Sequence, residues 1–422
     1  MRRIIISLFI ITSVFSCNKN EVKIDANKKV IGKSASEILG NPEYMAISYG
    51  GYRDTARSIQ PTIVELKEDL RILEAMNIKI LRTYNVHLPQ ASNLLSAIKE
   101  LKSEDPDFEM YVMLGAWINC KNAWTLGEEN HEEESEENEI EIARAVELAQ
   151  QYPSIVKVIA VGNEAMVHWA STYFVRPRII LKWVNYLQKL KKDGSLSNDI
   201  WITSSDNYAA WGGGGQEYHV GDLEDLIEAV DYVSIHTYPM HETHWNSEFW
   251  IQRKEEYELP KVDQVHLAMD RALLEAKKQF NGVSKYIQSI GLDKPIHIGE
   301  TGWASISDEF YGPEGSKACD EYKQGIFHKQ MRAWTQTEGI TCFFFEAFDE
   351  KWKDAKHPNG SENHFGLIDL QGHAKYAIWD LVDEGIFNGL SRGGHQIIKS
   401  FNGNVNDILE EVEAPPIEYH RE

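Results

Sequence analysis

The sequence predicts an α/β fold, a single (β/α)8 barrel of the TIM type, from two features of its pattern. Short apolar runs of β type alternate with longer amphipathic stretches from about residue 43 onward, as expected for parallel strands joined by crossover helices. Eight such pairs occupy about 350 residues, within the range of this barrel. A doubly wound open sheet is the alternative, but it usually has fewer strands, and the sequence has no GxGxxG or GxxxxGKS/T phosphate motif.

Eight apolar runs mark the predicted strands. They lie at 44–50, 78–85, 109–117, 156–164, 200–208, 230–238, 294–303 and 341–350. Helical patterns occupy 62–77, 178–193, 267–280, 321–339 and 375–386. The run WGGGGQ at 211–216 has no Lys-Ser or Lys-Thr behind it, so we expect a flexible loop there and not a phosphate site.

The N-terminus carries the pattern of an export signal. Arg2 and Arg3 precede an apolar run of about a dozen residues, which is too short for a stable membrane span but fits the central region of a signal peptide. The run ends in VFSC, which resembles the lipobox of bacterial lipoproteins and implies cleavage before Cys17 and lipidation of its thiol. An ordinary secretory signal with an incidental cysteine is the alternative. We expect an exported, lipid-anchored protein that faces the periplasm or lies on the cell surface.

Four regions follow from these patterns. A signal peptide occupies 1–16, the lipidated cysteine and a polar tether 17–40, the barrel 41–390, and a polar C-terminal extension 391–422, which lies on the barrel or is disordered. Besides Cys17 the chain has too few cysteines for a disulfide framework. The fold must therefore depend on its hydrophobic core, with at most one bridge among Cys120, Cys319 and Cys342.

The charge balance argues against a polyanionic partner. The chain has 65 acidic and 43 basic residues, a formal net charge of -22, whereas nucleic acid binding draws on basic patches. Part of the excess lies in an acidic stretch at 128–141, for which we expect a solvated loop and a helix start. The HETH segment at 241–244 lacks the HExxH spacing of a helical zinc site, so we expect a solvated loop there. We expect no metal site and no cofactor.

Polar side chains follow the predicted strands at the ends where a TIM-type barrel carries its active site. The candidates in chain order are Tyr49, Arg82, Tyr84, Trp117, Asn163, Glu164, Asp206, Asn207, His236, Tyr238, Glu300, Trp303, Glu346 and Glu350. Aromatic rings stack on sugar rings, and carboxylates accept hydroxyl hydrogen bonds or perform acid–base chemistry. This set, with few cations, predicts a neutral sugar ligand.

Two carboxylates stand out among these candidates. Glu164 and Glu300 end the fourth and seventh predicted strands, so they face one another across the barrel mouth. Glycoside hydrolysis uses such a pair, with about 5–5.5 Å between the carboxyl groups in a retaining enzyme and roughly 6.5–9.5 Å in an inverting one. The sequence leaves this distance open. Asn163 precedes Glu164 and is placed to hydrogen-bond a sugar hydroxyl next to the reacting carbon.

Several motifs at and after the strand ends occur in a characteristic order: VGNE, GETGW, FFFEAFDEKWK and ENHFGLIDLQG. Together they resemble glycoside hydrolase family 17, the β-1,3-glucanases, over about residues 43–375. The segments ISYGGYRD, DLRILEAMNIKILRTYN and VMLGAWI are similar to the bacterial and fungal branch of that family. The resemblance implies a retaining (β/α)8 enzyme of clan A.

The resemblance also implies roles for individual residues. Glu164 would be the general acid/base and Glu300 the nucleophile. Further positions of the cleft would be Glu350, Lys353 and Glu362, with Tyr49, Tyr84, Tyr238 and Trp303 near the cleaved sugar.

Some assignments carry alternatives. Trp303 is interpreted as a platform for a sugar ring and not as a core residue. For Trp117 the sequence favours neither a sugar platform nor a core position. Glu346 is divided evenly between a hydrogen bond that supports the nucleophile and a direct sugar contact. The family motif continues Gly-Trp-Pro where this chain has Ala304, and the segment 241–257 could reshape the cleft.

The sequence therefore predicts a retaining hydrolase of β-1,3-glucan such as laminarin, acting by double displacement. The alternatives are a transglycosylase of the same fold and a surface glycan-binding lipoprotein without activity. The expected partner is a neutral β-glucan, with no nucleic acid, with membrane contact through the lipid alone, and with the protein as a monomer.

Overall fold

Eight parallel strands close into a barrel in the computed structural model, which describes residues 32–419. The barrel strands, numbered along the chain, are β1 Met45–Ser48, β2 Ile78–Arg82, β3 Tyr111–Ala116, β4 Val156–Asn163, β5 Trp201–Asn207, β6 Val233–His236, β7 Ile296–Gly302 and β8 Cys342–Phe345. Each strand pairs with the next, and β8 pairs with β1. The predicted TIM-type barrel is confirmed, and each strand lies within its predicted run. Residues 1–16 and Cys17 lie outside the described residues.

The strand sequences explain why both faces of the barrel wall are buried. All six residues of β3 are buried, as expected for a parallel sheet covered on both faces. Because side chains alternate along a strand, Ile80 of β2 packs inside the barrel with Met113 and Val158, whereas Leu81 packs outside against the helices. The two apolar layers fix the barrel, which in turn fixes the strand ends.

The helices cover the outside of the barrel. They are α1 Ala35–Ile38, α2 Ile63–Ala75, α3 Pro89–Glu104, α4 Glu137–Gln151, α5 Pro177–Lys192, α6 Gly221–Ala229, α7 Pro239–Trp245, α8 Lys261–Ser289, α9 Glu321–Glu338, α10 Trp379–Asp383 and α11 Val405–Glu411. Local signals set their ends: Thr62 and Glu65 form a capping box at α2, and Gly339 ends α9 in the left-handed conformation with φ of 64°. The helix predicted at 267–280 is longer than expected, and the one predicted at 375–386 is divided into a 3-10 turn, Tyr376–Ile378, and α10.

The tether boundary predicted at residue 40 is wrong. Ala35, Ile38 and Leu39 are buried against the inner cluster of the barrel, together with Tyr44 and Ala46. These apolar side chains close the end of the barrel opposite the predicted site, so the folded part of the chain includes α1.

Three segments predicted as loops contain regular structure. In the acidic stretch, Asn130–Glu134 pairs with Cys120–Lys121 as an antiparallel hairpin before α4 begins. The HETH segment lies in α7, where His244 is buried, so the solvated loop expected there is wrong. The glycine run begins in a π-helical turn, Ala209–Gly213.

The C-terminal segment packs on the barrel. Short strands occur at His373–Ala374, Ser391–Arg392, His395–Gln396 and Ile398–Lys399. Arg392 is bonded to the buried Asp69 of α2, and the Tyr419 hydroxyl lies 2.5 Å from His244 Nδ1. Within residues 32–419, no helix is long and apolar enough to cross a membrane. Cys120, Cys319 and Cys342 are free thiols.

The Asp69 carboxylate is the basis of a stability prediction. It is fully buried and accepts hydrogen bonds from Arg53, Arg392 and the Tyr49 hydroxyl. Asp69→Ala leaves the buried guanidinium of Arg392 uncompensated, so we expect the free energy of unfolding to fall by about 3–5 kcal/mol in urea denaturation. Glu100→Ala, which breaks an exposed ion pair with Lys67, is the matched control and should change little. Equal effects in the two variants would contradict the prediction.

Candidate active site

The ends of β4 and β7 bring Glu164 and Glu300 to one cavity at the carboxyl-terminal rim of the barrel. Glu164 is the first residue after β4 and has a left-handed φ of 48°, which turns the chain out of the barrel wall. Its backbone N–H donates to the Ser205 carbonyl of β5, so this turn is held by the neighbouring strand. Gly162 also has a positive φ, of 84°, a conformation that favours glycine.

Glu300 is held by three donors. The guanidinium of Arg82 donates to its Oε2 at 2.6 Å, the Tyr84 hydroxyl donates to the same oxygen at 2.7 Å, and the Tyr238 hydroxyl donates to Oε1 at 2.8 Å. Burial would raise the pKa of Glu300, but the charges of His236 and Arg82 and the two phenol donors outweigh it, so the pKa lies below its ordinary value. Glu300 is therefore an ionised, fixed carboxylate, as a nucleophile must be.

Arg82 lies beneath the site and connects the two strand ends. It is 1% exposed, and it also donates to the Gly299 carbonyl at 2.7 Å and to the Asn163 side-chain oxygen at 2.5 Å. Arg82 was predicted to bind substrate, and this is wrong because the carboxylate and the barrel wall cover it. Its bond to Asn163 fixes that amide, which leaves the Asn163 Nδ2 group to meet a ligand.

Glu164 has a different environment. Its side chain is 17% exposed, and its Oε1 lies 3.0 Å from Nδ1 of the buried His236. The other ring nitrogen of His236 lies 2.9 Å from the Ser205 hydroxyl, which fixes the ring. Behind Glu164, burial and then the Glu164 charge raise the pKa of Asp206, which accepts a hydrogen bond from the Met166 N–H. Glu164 is thus positioned by one imidazole and remains open to the cavity.

The cleft consists of two joined cavities that meet at Glu300. The first cavity has a volume of about 480 Å³ and the second about 730 Å³, and Glu300, Phe345 and Glu362 border both. Asn163 borders only the first, and Glu164 borders only the second. A chain of sugar units can therefore pass across Glu300, with space on either side of it.

Most of the predicted site residues border this cleft. In the first cavity the structure brings together Tyr84, Trp117, Asn163, Glu300, Glu350, Lys353 and Glu362, and Tyr238 lies in the second. Glu350 accepts from the Tyr52 N–H at 3.1 Å and from the Trp352 indole at 2.9 Å.

Glu346 is the residue whose role the sequence left evenly divided. It is 2% exposed, does not border either cavity and forms an ion pair with Lys353. It therefore positions Lys353 at the cleft wall, and the direct sugar contact is wrong, as is support of the nucleophile by a hydrogen bond.

Trp303 and Tyr49 do not have their predicted roles. Trp303 has no exposed surface, donates its indole N–H to the Ala318 carbonyl and packs with Phe327, so the sugar platform is wrong. The cause is the chain path: after β7 the backbone carries this side chain outward into the helix layer. Tyr49 borders the first cavity, but its hydroxyl donates to Asp69 at 3.0 Å and is not available to a ligand.

Sequence reasoning missed several side chains of the cleft. Gln90, Arg57 and Trp124 border the first cavity, and His241 and Trp245 border the second. Burial lowers the pKa of His241 to about 4, so its ring is neutral at ordinary pH. The signal in the sequence was a tryptophan in each of the segments that follow β3 and β6. In the structure these side chains are largely solvent-accessible, with Trp124 62% and Trp245 49% exposed. Within residues 32–419, no group of three or more His, Cys, Asp or Glu side chains is arranged to hold a metal ion.

Comparison with known proteins agrees with this geometry. The model of the BtgE/BtgC glycoside hydrolase domain matches residues 46–366. An endo-laminarinase from Formosa Hel1_33_131 is 61% identical, with a TM-score of 0.91 over 92% of this chain and 99% of that chain. A glucan 1,3-β-glucosidase from Arthroderma benhamiae is 28% identical over 232 residues, and this match spans 53% of this chain and 61% of that relative's length. A family 17 β-1,3-glucanosyltransferase from Rhizomucor miehei shares the fold at 18% identity, with a TM-score of 0.55 over 79% of this chain and 96% of that one.

The donors to Glu300 generate a titration prediction. Tyr238→Phe removes the hydroxyl that donates to Oε1, and because this bond stabilises the ionised form, its loss must raise the pKa of Glu300. The measurement is a carbon-13 titration of protein labelled at the glutamate carboxyl carbons, with the Glu300 signal assigned by its loss in Glu300→Gln. Tyr186→Phe, at an exposed position on α5, is the control. An unchanged or lower pKa in Tyr238→Phe would contradict the assigned role.

Proposed function

The chain belongs to the BtgE/BtgC glycoside hydrolase family, and we propose that it hydrolyses the β-1,3-glucosidic bonds of laminarin-type glucan. The observation that carries the proposal is the pair of carboxylates, Glu164 and Glu300, in one open cleft bordered by aromatic and amide groups. The similarity to the Formosa endo-laminarinase, which extends over nearly the whole of both chains, supports the choice of substrate.

In the first step, Glu300 attacks the anomeric carbon while Glu164 protonates the leaving oxygen. The carbon–oxygen bond to the leaving sugar breaks, and a covalent ester to Glu300 forms. The lowered pKa of Glu300 supports its role as the nucleophile, because it keeps the carboxylate ionised. The hydrogen bonds from Tyr84 and Tyr238 align the two carboxylate oxygens before the attack.

In the second step, water replaces the leaving sugar and Glu164 acts as base. Glu164 takes a proton from this water, which attacks the anomeric carbon and releases Glu300. His236 contacts Glu164 through Nδ1 and keeps the carboxyl group in place through both steps. Two successive displacements at one carbon retain its configuration, so the proposal is a retaining mechanism, as in the clan A hydrolases that the motifs resemble.

The positions of the two carboxyl groups also orient the glucan. Glu164 borders only the second cavity, so the leaving sugar and the reducing-end part of the chain occupy that side. Asn163 borders only the first cavity, where its amide meets the sugar that becomes bound to Glu300. Because both sides are open to further sugar units, the proposed action is on internal bonds.

The roles of the carboxylates are tested by a pair of variants. Glu300→Ala should abolish laminarin hydrolysis, and Glu164→Ala should lower it by about 10²- to 10⁴-fold, the contribution of general acid–base catalysis. With an activated aryl glucoside and added azide, Glu164→Ala should yield the β-glycosyl azide, because azide then attacks the ester on Glu300. Glu100→Ala is the surface control, and circular dichroism checks the fold. Substantial hydrolysis by folded Glu300→Ala would contradict the proposal.

Product analysis separates hydrolysis from the two alternatives. Incubation with laminari-oligosaccharides should give only shorter products. Products longer than the substrate would indicate a transglycosylase, and binding without any cleavage would indicate a glycan-binding lipoprotein.

We further propose that a lipid on Cys17 anchors the enzyme to a bacterial membrane. The VFSC sequence after the apolar run supports this proposal. Cys17→Ser should abolish incorporation of labelled palmitate and move the protein from the membrane to the soluble fraction, since a single chain position carries the lipid. An unlabelled wild-type protein in the soluble fraction would contradict the anchor.

A further inference from the structure

A buried amide on the wall of the first cavity takes no part in the two chemical steps proposed above. Gln90 lies in the first turn of α3 and is 5% exposed, and its backbone N–H donates to the Gln60 side chain at 2.9 Å. Its side-chain Nε2 is buried and has no hydrogen-bond partner among residues 32–419. Gln90 borders the first cavity. Since a buried donor without an acceptor costs free energy, an acceptor supplied by a ligand would recover it.

Two aromatic walls border the same cavity. On one side, the Arg57 guanidinium lies 4.5 Å from the centre of the Trp352 ring, and Tyr52 packs against that ring at 5.4 Å. The Nε of Arg57 is a second buried donor without a partner in the described part of the chain. Trp352 is therefore held by the guanidinium over its ring and by Tyr52, and Arg57 adds an unpaired donor to this wall.

The other wall comes from the hairpin in the acidic stretch. Trp124 lies on this hairpin and is 62% exposed, and its ring stacks on Tyr173 at 5.4 Å with an interplanar angle of 22°. Tyr173 packs on Trp117 at 5.3 Å, which ties the hairpin to the loop after β3. Aromatic surfaces combined with amide donors are the features that recognise sugar rings and their hydroxyls.

We propose that Gln90, Trp352 and Trp124 form a glucosyl subsite in the first cavity. The subsite rests on the proposed function, in which this cavity holds the non-reducing side of the glucan. Gln90 Nε2 donates to a sugar hydroxyl oxygen, the exposed ring of Trp124 stacks on one face of the sugar, and Trp352 with Arg57 borders the sugar from the opposite wall. No hydrogen bond in the described residues joins these three side chains to Glu164 or Glu300, so the subsite sets chain-length preference and does not take part in the chemical steps.

The kinetic test compares substrates of increasing length. For wild type and Gln90→Ala, kcat/KM is measured on reducing-end-labelled laminari-oligosaccharides from laminaribiose to laminariheptaose. We expect no loss on the shortest substrates and a loss of roughly two- to tenfold on the longest, the value of one hydrogen bond. The cleaved bond should also move toward the non-reducing end, because fewer units are held on that side. Gln150→Ala, on the exposed face of α4, is the matched control.

A structural role for Gln90 gives a different result. An equal loss on all lengths, or no loss with an unchanged cleavage position, would overturn the subsite. If Gln90→Ala does not fold, Trp124→Ala takes its place, because this side chain is exposed, and the same dependence on length is required.

A binding experiment separates this inference from the proposed function. Calorimetry of laminarihexaose on Glu300→Ala and on the double variant with Gln90→Ala measures the subsite without turnover. Weaker binding of the double variant by a similar factor supports the subsite even if wild type hydrolyses no glucan, which would contradict the function alone. Equal affinities would overturn the subsite even if hydrolysis is established.

Discussion

The guanidinium of Arg82 is the interaction on which the candidate site depends. It is 1% exposed and donates to Glu300, to the Gly299 carbonyl and to Asn163, so it joins the end of β7 to the end of β4. Removing one partner of a buried pair typically costs about 3–5 kcal/mol, far more than one surface pair contributes. The buried Arg82 guanidinium thus fixes both the Glu300 carboxylate, which is the nucleophile candidate, and the side-chain amide of Asn163. Its charge also helps to keep Glu300 ionised in spite of its burial.

The two carboxylates differ because their surroundings differ. Glu300 is enclosed by Arg82, Tyr84 and Tyr238, whereas Glu164 contacts the His236 ring and is 17% exposed in its side chain. Donors and positive charge stabilise an ionised carboxylate, and an enzyme that needs one acid and one nucleophile must keep two such environments apart. The strands supply both environments, since Arg82 ends β2 and His236 ends β6.

The strands and the carboxylate pair were predictable from the sequence because both depend on short-range pattern. An apolar run with a polar end specifies a barrel strand and its rim, and this placed Glu164 and Glu300 correctly at one cavity. Trp303 and Arg82 were assigned to the cleft because they also lie at strand ends. A side chain at a strand end can point into the cleft, into the helix layer or into the barrel interior, and the apolar run does not distinguish these directions. The helix layer covers Trp303, and the carboxylate covers Arg82, which the linear sequence does not encode. Likewise, α1 has only four residues, too few to show a helical period in the sequence. Its place in the fold is evident only from the packing of its apolar side chains against the inner cluster of the barrel.

The segments between strands determine the shape of the cleft. The hairpin formed by Cys120–Lys121 and Asn130–Glu134 is a highly charged segment that nevertheless borders a site for a neutral ligand. Its carboxylates are paired with basic side chains of and just before α5: Glu132 lies 2.7 Å from Arg176 and 2.5 Å from Arg178, and Glu134 is paired with Lys182. These exposed pairs add little stability individually, but they compensate the charge of Glu132 and Glu134 beside α5. The excess negative charge of the chain is therefore compatible with a cleft that recognises sugar through aromatic rings and amides, because these hairpin carboxylates are paired with cations, whereas Trp124 of the same hairpin stacks on Tyr173 and borders the first cavity.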